Sequence, residues 1–340
     1  METRHAVHAG DARDLPLPDD SVGLVVTSPP YPMVEMWDEA FAATAEGVEP
    51  ALDADDGEAA FAAMHDALDA AWAEVARVLA PGGVACVVVG DAARTLDRFR
   101  LYRNRDRVGA AFESLGFDPL PDIVWRKPAN SAAKFMGSGM LPPNAYVTLE
   151  HESILVFRNG PRRSFDAGAD RRYEAAYFWE ERNRWFSDVW TDVRGVAQET
   201  ETGPRDRTAA YPFAVPYRLL NMYSVYGDTV LDPFWGTGTT TLAAMVAGRS
   251  SVGVERHADL VESFGARAAD VPRLSRDVTA ERLASHADFV AGEADDHGYE
   301  SVHYDVPVRT KQERRIRLYE VEAVRETSEG HVAAHAPVEW

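Results

Sequence analysis

The fold of this chain is decided by residues 229–240, which read Thr-Val-Leu-Asp-Pro-Phe-Trp-Gly-Thr-Gly-Thr-Thr. A short apolar strand that leads through a glycine-containing turn into a helix is the ligand-binding unit of doubly wound α/β proteins. Gly236 and Gly238 allow the backbone to approach a ligand closely and to adopt positive φ in that turn. Thr241 stands where the dinucleotide-binding fingerprint has its third glycine, so we predict a different cofactor.

A second short segment, Ser28-Pro29-Pro30-Tyr31, follows the apolar, β-branched run Val22 to Thr27. That run predicts a buried parallel strand, and functional loops lie at the carboxyl ends of such strands. Proline-rich turns also follow strands for purely structural reasons. The functional interpretation is favoured because the 229–240 stretch occurs in the same chain.

Together the two segments resemble the catalytic and cofactor loops of the DNA amino-methyltransferases. Their order, catalytic loop first, is that of the beta group, and the resemblance covers roughly residues 8 to 290. It implies methyl transfer from S-adenosylmethionine to an exocyclic amine in double-stranded DNA. In this family serine at the first position of the tetrapeptide goes mostly with cytosine N4, so Ser28 favours N4-methylcytosine. The chain also looks similar to archaeal modification methylases for the palindrome CTAG, which would imply a cognate restriction endonuclease as a partner.

The tetrapeptide suits this chemistry because the amine of cytosine is a poor nucleophile, with its lone pair delocalised into the ring. Ser28 Oγ can accept one N–H, and backbone carbonyls held in place by Pro29 and Pro30 can accept another. Tyr31 would supply a flat face on which an extruded base stacks. We therefore predict that these four residues are catalytic.

The resemblance also assigns roles in cofactor binding. The helix N-terminus suits the methionine carboxylate, and aromatic side chains suit a sulfonium cation. Asp232 would receive the methionine ammonium, Glu255 the ribose hydroxyls and Asp11 the adenine amine. The predicted cofactor-binding residues are Asp11, Asp232, Pro233, Phe234, Trp235, Gly236, Gly238, Thr239 and Glu255.

A formal net charge of -20 is unusual for a protein that binds DNA, because Lys and Arg supply much of non-specific DNA affinity. The basic residues include only three lysines, at positions 127, 134 and 311, and the acidic residues are spread along the chain. This composition suggests adaptation to a halophilic, salt-rich interior. At ~1 M salt the Debye length is ~3 Å, so DNA affinity would depend on local arginines, stacking and base contacts.

Hydrophobic periodicity predicts alternating strands and helices, hence a doubly wound, mostly parallel, Rossmann-like α/β sheet. Helices are expected at about 58–79, 110–115 and 239–247, with strands at 84–89, 123–125, 152–157 and 251–254. We divide the chain into a catalytic half (1–127), a target-recognition region (128–206), an S-adenosylmethionine-binding half (207–292) and a β-rich extension (293–340). In the extension, 302–308 and 316–324 are predicted strands.

The recognition region interleaves arginines with aromatic residues, a mixture that suits nucleic acid but also forms ordinary small cores. Two alternatives to the N4-cytosine enzyme remain: an adenine-N6 enzyme on the same fold, and a non-catalytic DNA-binding regulator. Methylation at C5 is excluded because it needs a reactive thiolate, and Cys86, the only cysteine, lies in an apolar run. The scattered histidines predict no metal site, and the absence of a signal pattern or membrane-length apolar run favours a cytoplasmic protein.

Overall fold

The computed structural model describes residues 1–127, 136–193, 211–292 and 298–340. Its strands are β1 (Glu2–Ala9), β2 (Val22–Thr27), β3 (Leu79–Val89), β4 (Ala92–Thr95), β5 (Phe99–Tyr102), β6 (Asp118–Arg126), β7 (Met136–Gly137), β8 (Ala145–Tyr146), β9 (His151–Arg158), β10 (Val189–Trp190), β11 (Thr229–Asp232), β12 (Ser250–Glu255), β13 (Tyr319–Thr327) and β14 (Gly330–Pro337).

The helices are α1 (Asp38–Ala42), α2 (Val48–Asp53), α3 (Gly57–Val78), α4 (Asn104–Ser114), α5 (Asp170–Glu174), α6 (Trp179–Trp185), α7 (Ala214–Tyr223), α8 (Thr239–Val246), α9 (Ala258–Ala269) and α10 (Val271–Gly292), with single 3-10 turns at Glu35–Trp37 and Glu313–Arg315. In the part of the chain that the structure describes, no helix is long and apolar enough to cross a membrane.

A ten-stranded sheet forms the centre of the protein, in the order β10-β6-β9-β3-β2-β11-β12-β1-β14-β13. Its middle strands β3, β2, β11, β12 and β1 are all parallel, whereas β9 is antiparallel to both of its neighbours. Strand order reverses between β2 and β11, which leaves a crevice at the carboxyl ends of these strands. The predicted doubly wound, mostly parallel α/β fold is confirmed.

Alternate residues of the central strands pack into two apolar layers. Val25 faces a core that includes Met64 and Trp72 of α3, whereas Leu24 and Val26 face a core built with α7 and α8. Runs buried on both faces are what parallel strands covered by helices require. The central strands therefore lie between two helical layers, and the loops of the site begin at the ends of these buried strands.

Three helix ends show how local sequence sets the elements. The Asp56 carboxylate accepts a hydrogen bond from the Ala59 backbone N–H at 3.0 Å, which caps α3. Gly238, at φ 79°, precedes α8, and Gly248, at φ 69°, follows its end. The short helix expected at 110–115 is longer, because α4 already begins at Asn104.

The C-terminal extension is not separate from the main sheet. β14 pairs antiparallel with β1, and β13 pairs with β14, so residues 319–337 enlarge the central sheet. The prediction of a strand at 302–308 is wrong, since the structure there has only an isolated bridge between Tyr299 and Val308. Tyr304 and Val308 are nevertheless buried, because their apolar side chains join a small side core.

That side core takes up aromatic residues from the region at 128–206, of which the structure describes 136–193. Phe178 lies in it with Leu283, and the Glu181 carboxylate accepts hydrogen bonds at 2.6 and 2.8 Å from the buried Arg282 guanidinium. Trp185 is also buried, under the same arginine. Structural packing therefore accounts for these members of the aromatic and arginine mixture.

Candidate active site

The two segments singled out from the sequence lie side by side. β2 and β11 are parallel neighbours, with Leu24 opposite Val230 and Val25 opposite Leu231, so their following loops leave the same edge of the sheet. The Thr27 hydroxyl donates a hydrogen bond of 2.7 Å to Asp232 Oδ1 and joins the two strand ends directly. This link between the loops was not predicted from the sequence.

A cavity of about 1560 Å³ opens at this edge. The predicted site residues that line it are Asp11, Ser28, Pro29, Pro30, Asp232, Pro233, Phe234, Trp235, Gly236, Thr239 and Glu255. Arg13, Arg94 and Arg256 also line it, each within an ion pair with a carboxylate. The cavity is large enough for a nucleoside-sized cofactor together with an extruded base.

Asp232 is the most heavily hydrogen-bonded group in the site. Its Oδ1 accepts from Thr27 and from the Phe234 backbone N–H at 3.2 Å, and its Oδ2 accepts from the hydroxyls of Thr240 at 2.7 Å and Tyr211 at 3.3 Å. Burial raises the pKa of Asp232 from 3.8 to about 6, and these hydrogen bonds limit the rise. A cationic ligand beside this carboxylate would favour its charged form.

Trp235 does not present its ring as a free cavity wall. It is 2% exposed, its indole N–H donates to Thr241 Oγ1 at 2.8 Å, and its ring packs edge-on to Phe264. The ring lies so close to Gly253 that a Cβ there would be 2.1 Å from the indole. Trp235 therefore anchors the turn in the core, and Phe234, which lines the cavity and packs against Trp72, is the better placed aromatic face.

Glu255 and Asp11 also line the cavity. Glu255 Oε2 accepts from the Gly236 backbone N–H at 2.8 Å, which ties the glycine turn to the end of β12. The hydrogen bonds and charge of Arg13, with help from Arg256, hold the pKa of the Asp11 carboxyl below its usual range, against the effect of burial. Both acids line the cavity, and their contacts with ribose and adenine stay predictions.

Tyr31 is buried next to Ser28 of the cavity wall. It is 8% exposed, and its ring packs so closely on Gly90 that a Cβ there would be 3.1 Å from the ring. Its hydroxyl lies 3.0 Å from Ser28 Oγ and donates to Glu152 Oε2 at 3.1 Å. Glu152 Oε1 in turn accepts from Lys127 Nζ at 2.7 Å. Stacking of a base on Tyr31 stays a prediction, and the observed contacts are those of a support for Ser28.

A second set of contacts, also not predicted from the sequence, links the Ser28–Tyr31 loop to the end of β3. The buried Asn104 amide donates to the backbone carbonyls of Pro32 at 3.0 Å and Gly90 at 2.9 Å, and its oxygen lies 3.0 Å from His65 Nε2. Burial lowers the pKa of His65 to about 4, so its imidazole is neutral near pH 7. Asn104 thus links the catalytic loop to the end of β3.

Residues 22–265 match the family described as DNA methylase, whose members methylate adenine N6 or cytosine N4. This chain belongs to that family. It is similar to the Type II methyltransferase M.MthZI of Methanothermobacter thermautotrophicus, at 48% identity over 94% of this chain and 91% of the relative. It is also similar to the Type II methyltransferase M.MjaI of Methanocaldococcus jannaschii, at 46% identity over 75% of this chain and 88% of the relative.

Solved structures agree with this family. A Thermus thermophilus protein in complex with S-adenosyl-L-methionine shares 32% identity, with a TM-score of 0.60 over 78% of this chain and 94% of its own. The PvuII DNA methyltransferase (cytosine-N4-specific) shares 16% identity and the fold, with a TM-score of 0.51 over 77% of this chain and 86% of its own. The methylase described here therefore uses S-adenosylmethionine and acts on DNA.

Methylation at C5 would need a reactive thiolate, and Cys86 does not line the cavity. Cys86 is fully buried, and burial raises the pKa of its thiol, so it is a poor nucleophile. Over residues 1–127, 136–193, 211–292 and 298–340, no three His, Cys, Asp or Glu side chains come together as a metal site would require. Amine methylation with S-adenosylmethionine is the chemistry that the cavity residues suit.

Proposed function

We propose that this methylase transfers the methyl group of S-adenosylmethionine to the N4 amine of cytosine within a specific site of double-stranded DNA. The observation that carries the proposal is the placement of Ser28 on the cavity wall, with its strand tied to Asp232 of the cofactor turn through Thr27. An adenine-N6 product is the competing outcome of the test below.

In the proposed mechanism, the target cytosine leaves the duplex and enters the cavity beside Ser28, Pro29 and Pro30. S-adenosylmethionine would supply the methyl group as an electrophile and leave as S-adenosylhomocysteine, and the methylated amine would lose one hydrogen to water as a proton. Ser28 Oγ and the neighbouring carbonyls accept hydrogen bonds from the two N–H groups of the amine. These hydrogen bonds localise the nitrogen lone pair and turn it toward the methyl group. The prolines restrict φ, so the accepting groups keep their direction without reorganisation during the reaction.

For the cofactor, we propose that Asp232 receives the methionine ammonium, that the N-terminus of α8 at Thr239 faces the carboxylate, and that Glu255 binds the ribose. The raised pKa of Asp232 supports the first contact, because a nearby cation would relieve the cost of its buried charge. Asp11 would take the adenine amine.

We assign target recognition to the hairpin of β7 and β8 within 128–206. Met140 and Leu141 at its tip are 83% and 70% exposed, and Tyr146 stacks on Phe99 of β5 at 4.5 Å. The hairpin rejoins the sheet beside the catalytic loop, where the Lys127 backbone N–H donates to the Glu150 carbonyl at 2.8 Å. Exposed apolar tips suit insertion between base steps. The resemblance of the sequence favours CTAG as the site and a cognate endonuclease as the partner.

The test is nucleoside analysis of DNA from a host that lacks DNA methylation and expresses this chain. We expect N4-methylcytosine, lying within CTAG by modification-sensitive sequencing. Ser28→Ala should lower the amount by about a hundredfold or more, the usual effect of losing one such hydrogen-bonding group. N6-methyladenine would refute the cytosine assignment, and unchanged methylation by the Ser28→Ala protein would refute the role of the hydroxyl. No methylation by the parent chain would favour a regulator.

A further inference from the structure

Ser28 must face the target amine as a hydrogen-bond acceptor, yet a hydroxyl can equally well donate. A hydroxyl hydrogen pointed at the amine would oppose its N–H groups or occupy the lone pair that has to attack. The 3.0 Å contact between Ser28 Oγ and Tyr31 Oη does not by itself decide which oxygen is the donor. Something beyond these two side chains has to fix the direction.

Glu152 supplies that direction. An ionised carboxylate only accepts hydrogen bonds, so at 3.1 Å from Glu152 Oε2 the Tyr31 hydroxyl has to be the donor. Tyr31 has one hydroxyl hydrogen, and toward Ser28 it can therefore only accept. The Ser28 hydrogen then points at Tyr31, and the Ser28 lone pairs are left to face the cavity.

Three features keep this chain of hydrogen bonds in the required state. Lys127 Nζ donates to Glu152 Oε1 at 2.7 Å and so holds the carboxylate with its other oxygen toward Tyr31. Burial and the charge of Glu152 raise the pKa of Tyr31 well above its usual range, so the phenol keeps its hydrogen. Gly90 lets the Tyr31 ring and the Glu152 side chain approach, since a Cβ there would lie 3.1 and 3.4 Å from them.

We propose that Glu152 is a positioning residue that acts through Tyr31 to make Ser28 an acceptor toward the target amine. The inference rests on the proposed function only in needing an exocyclic amine at Ser28, whichever base carries it. It gives the acid in the pair His151-Glu152, at the start of β9, a role in orienting the catalytic hydroxyl.

The isosteric change Glu152→Gln tests this proposal because it reverses the direction of the hydrogen bonds that link Ser28, Tyr31 and residue 152. Lys127 only donates, so it pairs with the new carbonyl oxygen and turns the amide NH2 toward Tyr31. Tyr31 then accepts from the amide and donates to Ser28, whose own hydrogen swings toward the cavity. We expect the single-turnover methylation rate to fall by about a hundredfold or more, with dissociation constants for S-adenosylmethionine and DNA changed by less than about twofold.

A double variant separates orientation from ordinary structural damage. In Lys127→Met with Glu152→Gln, the amide is free to turn its oxygen toward Tyr31 and restore the original direction. We compare the double variant with Lys127→Met alone, and Glu152→Gln with the parent. The fall in rate caused by Glu152→Gln should be smaller by about tenfold or more in the Lys127→Met background. Structural damage would not be repaired by removing a second side chain.

The matched control is Glu329→Gln, the same substitution at an exposed carboxylate in the turn between β13 and β14, which does not line the cavity. Its rate should equal that of the parent. All rates are measured with enzyme in excess, on sheared genomic DNA from a host without DNA methylation. A parental rate for Glu152→Gln, or no recovery in the double variant, would overturn the proposal. The base that is methylated is read separately from the parent's product, so an adenine product would leave this test intact.

Discussion

Replacing Asp232 by Asn is predicted to make the protein without cofactor more stable near neutral pH while weakening its binding of S-adenosylmethionine. Burial raises the pKa of the Asp232 carboxylate from 3.8 to about 6. A difference of one between the folded and unfolded pKa corresponds to about 1.4 kcal/mol. Keeping Asp232 ionised at pH 7.5 therefore destabilises the folded state by about 3 kcal/mol. Asn is close in shape and carries no charge, so it avoids this cost.

The sign of the pH dependence follows from the direction of that shift. Because the folded pKa lies above the unfolded one, the folded protein binds the proton more tightly. The stability contributed by the protonated group is fully present below pH 3.8 and is lost as pH rises through about 6. The Asp232→Asn variant lacks this loss, so its stability advantage over the parent should grow by about 2 kcal/mol between pH 4.5 and 7.5.

The comparison with the parent is essential because other buried groups titrate in the same range. Burial lowers the pKa of His5 to about 3 and the pKa of His65 and His335 to about 4. These groups make both proteins less stable as pH falls below 6.5, in the opposite sense to Asp232. Their effect is the same in both proteins and cancels in the difference.

The assay is urea unfolding of both proteins at several pH values and constant ionic strength, with calorimetric titration of S-adenosylmethionine at pH 7.5. If Asp232 receives the ammonium, the Asp232→Asn variant should bind more weakly by about tenfold to a hundredfold. A stability difference that does not change with pH would refute the raised pKa. Equal affinity for S-adenosylmethionine would refute the ammonium contact.

Three further predictions concern packing, chemistry and solvent. Gly253→Ala should destabilise the protein by about 1–3 kcal/mol in urea unfolding, because its Cβ would meet the Trp235 ring at 2.1 Å; Gly265→Ala, where nothing lies within 4 Å, should not. Cys86→Ala should methylate DNA at a rate within about twofold of the parent, and complete loss with the protein still folded would reopen thiolate chemistry. Stability and activity should both rise from about 0.1 M to molar KCl, because a net charge of -20 requires screening; equal behaviour in both would contradict salt adaptation.

Sequence reasoning placed the two loops correctly because backbone constraints are local. The β-branched run before Ser28 and the glycine turn after Asp232 each specify a strand end, and parallel strands bring their carboxyl ends to one edge. That the two strands are direct neighbours, joined by Thr27, depends on the sheet order. No local pattern encodes that order.

The direction of the aromatic side chains could not be predicted, because distant residues decide it. Trp235 turns into the core since Gly253, on the neighbouring strand β12, leaves room for its indole. The Tyr31 ring packs on Gly90, and its hydroxyl donates to Glu152. A glycine opposite an aromatic residue, and an acid opposite a phenol, are meaningful only once the sheet has paired them. The motif thus identifies which residues form the catalytic loop, while residues far along the chain, on β9 and at the end of β3, determine what Tyr31 does in it.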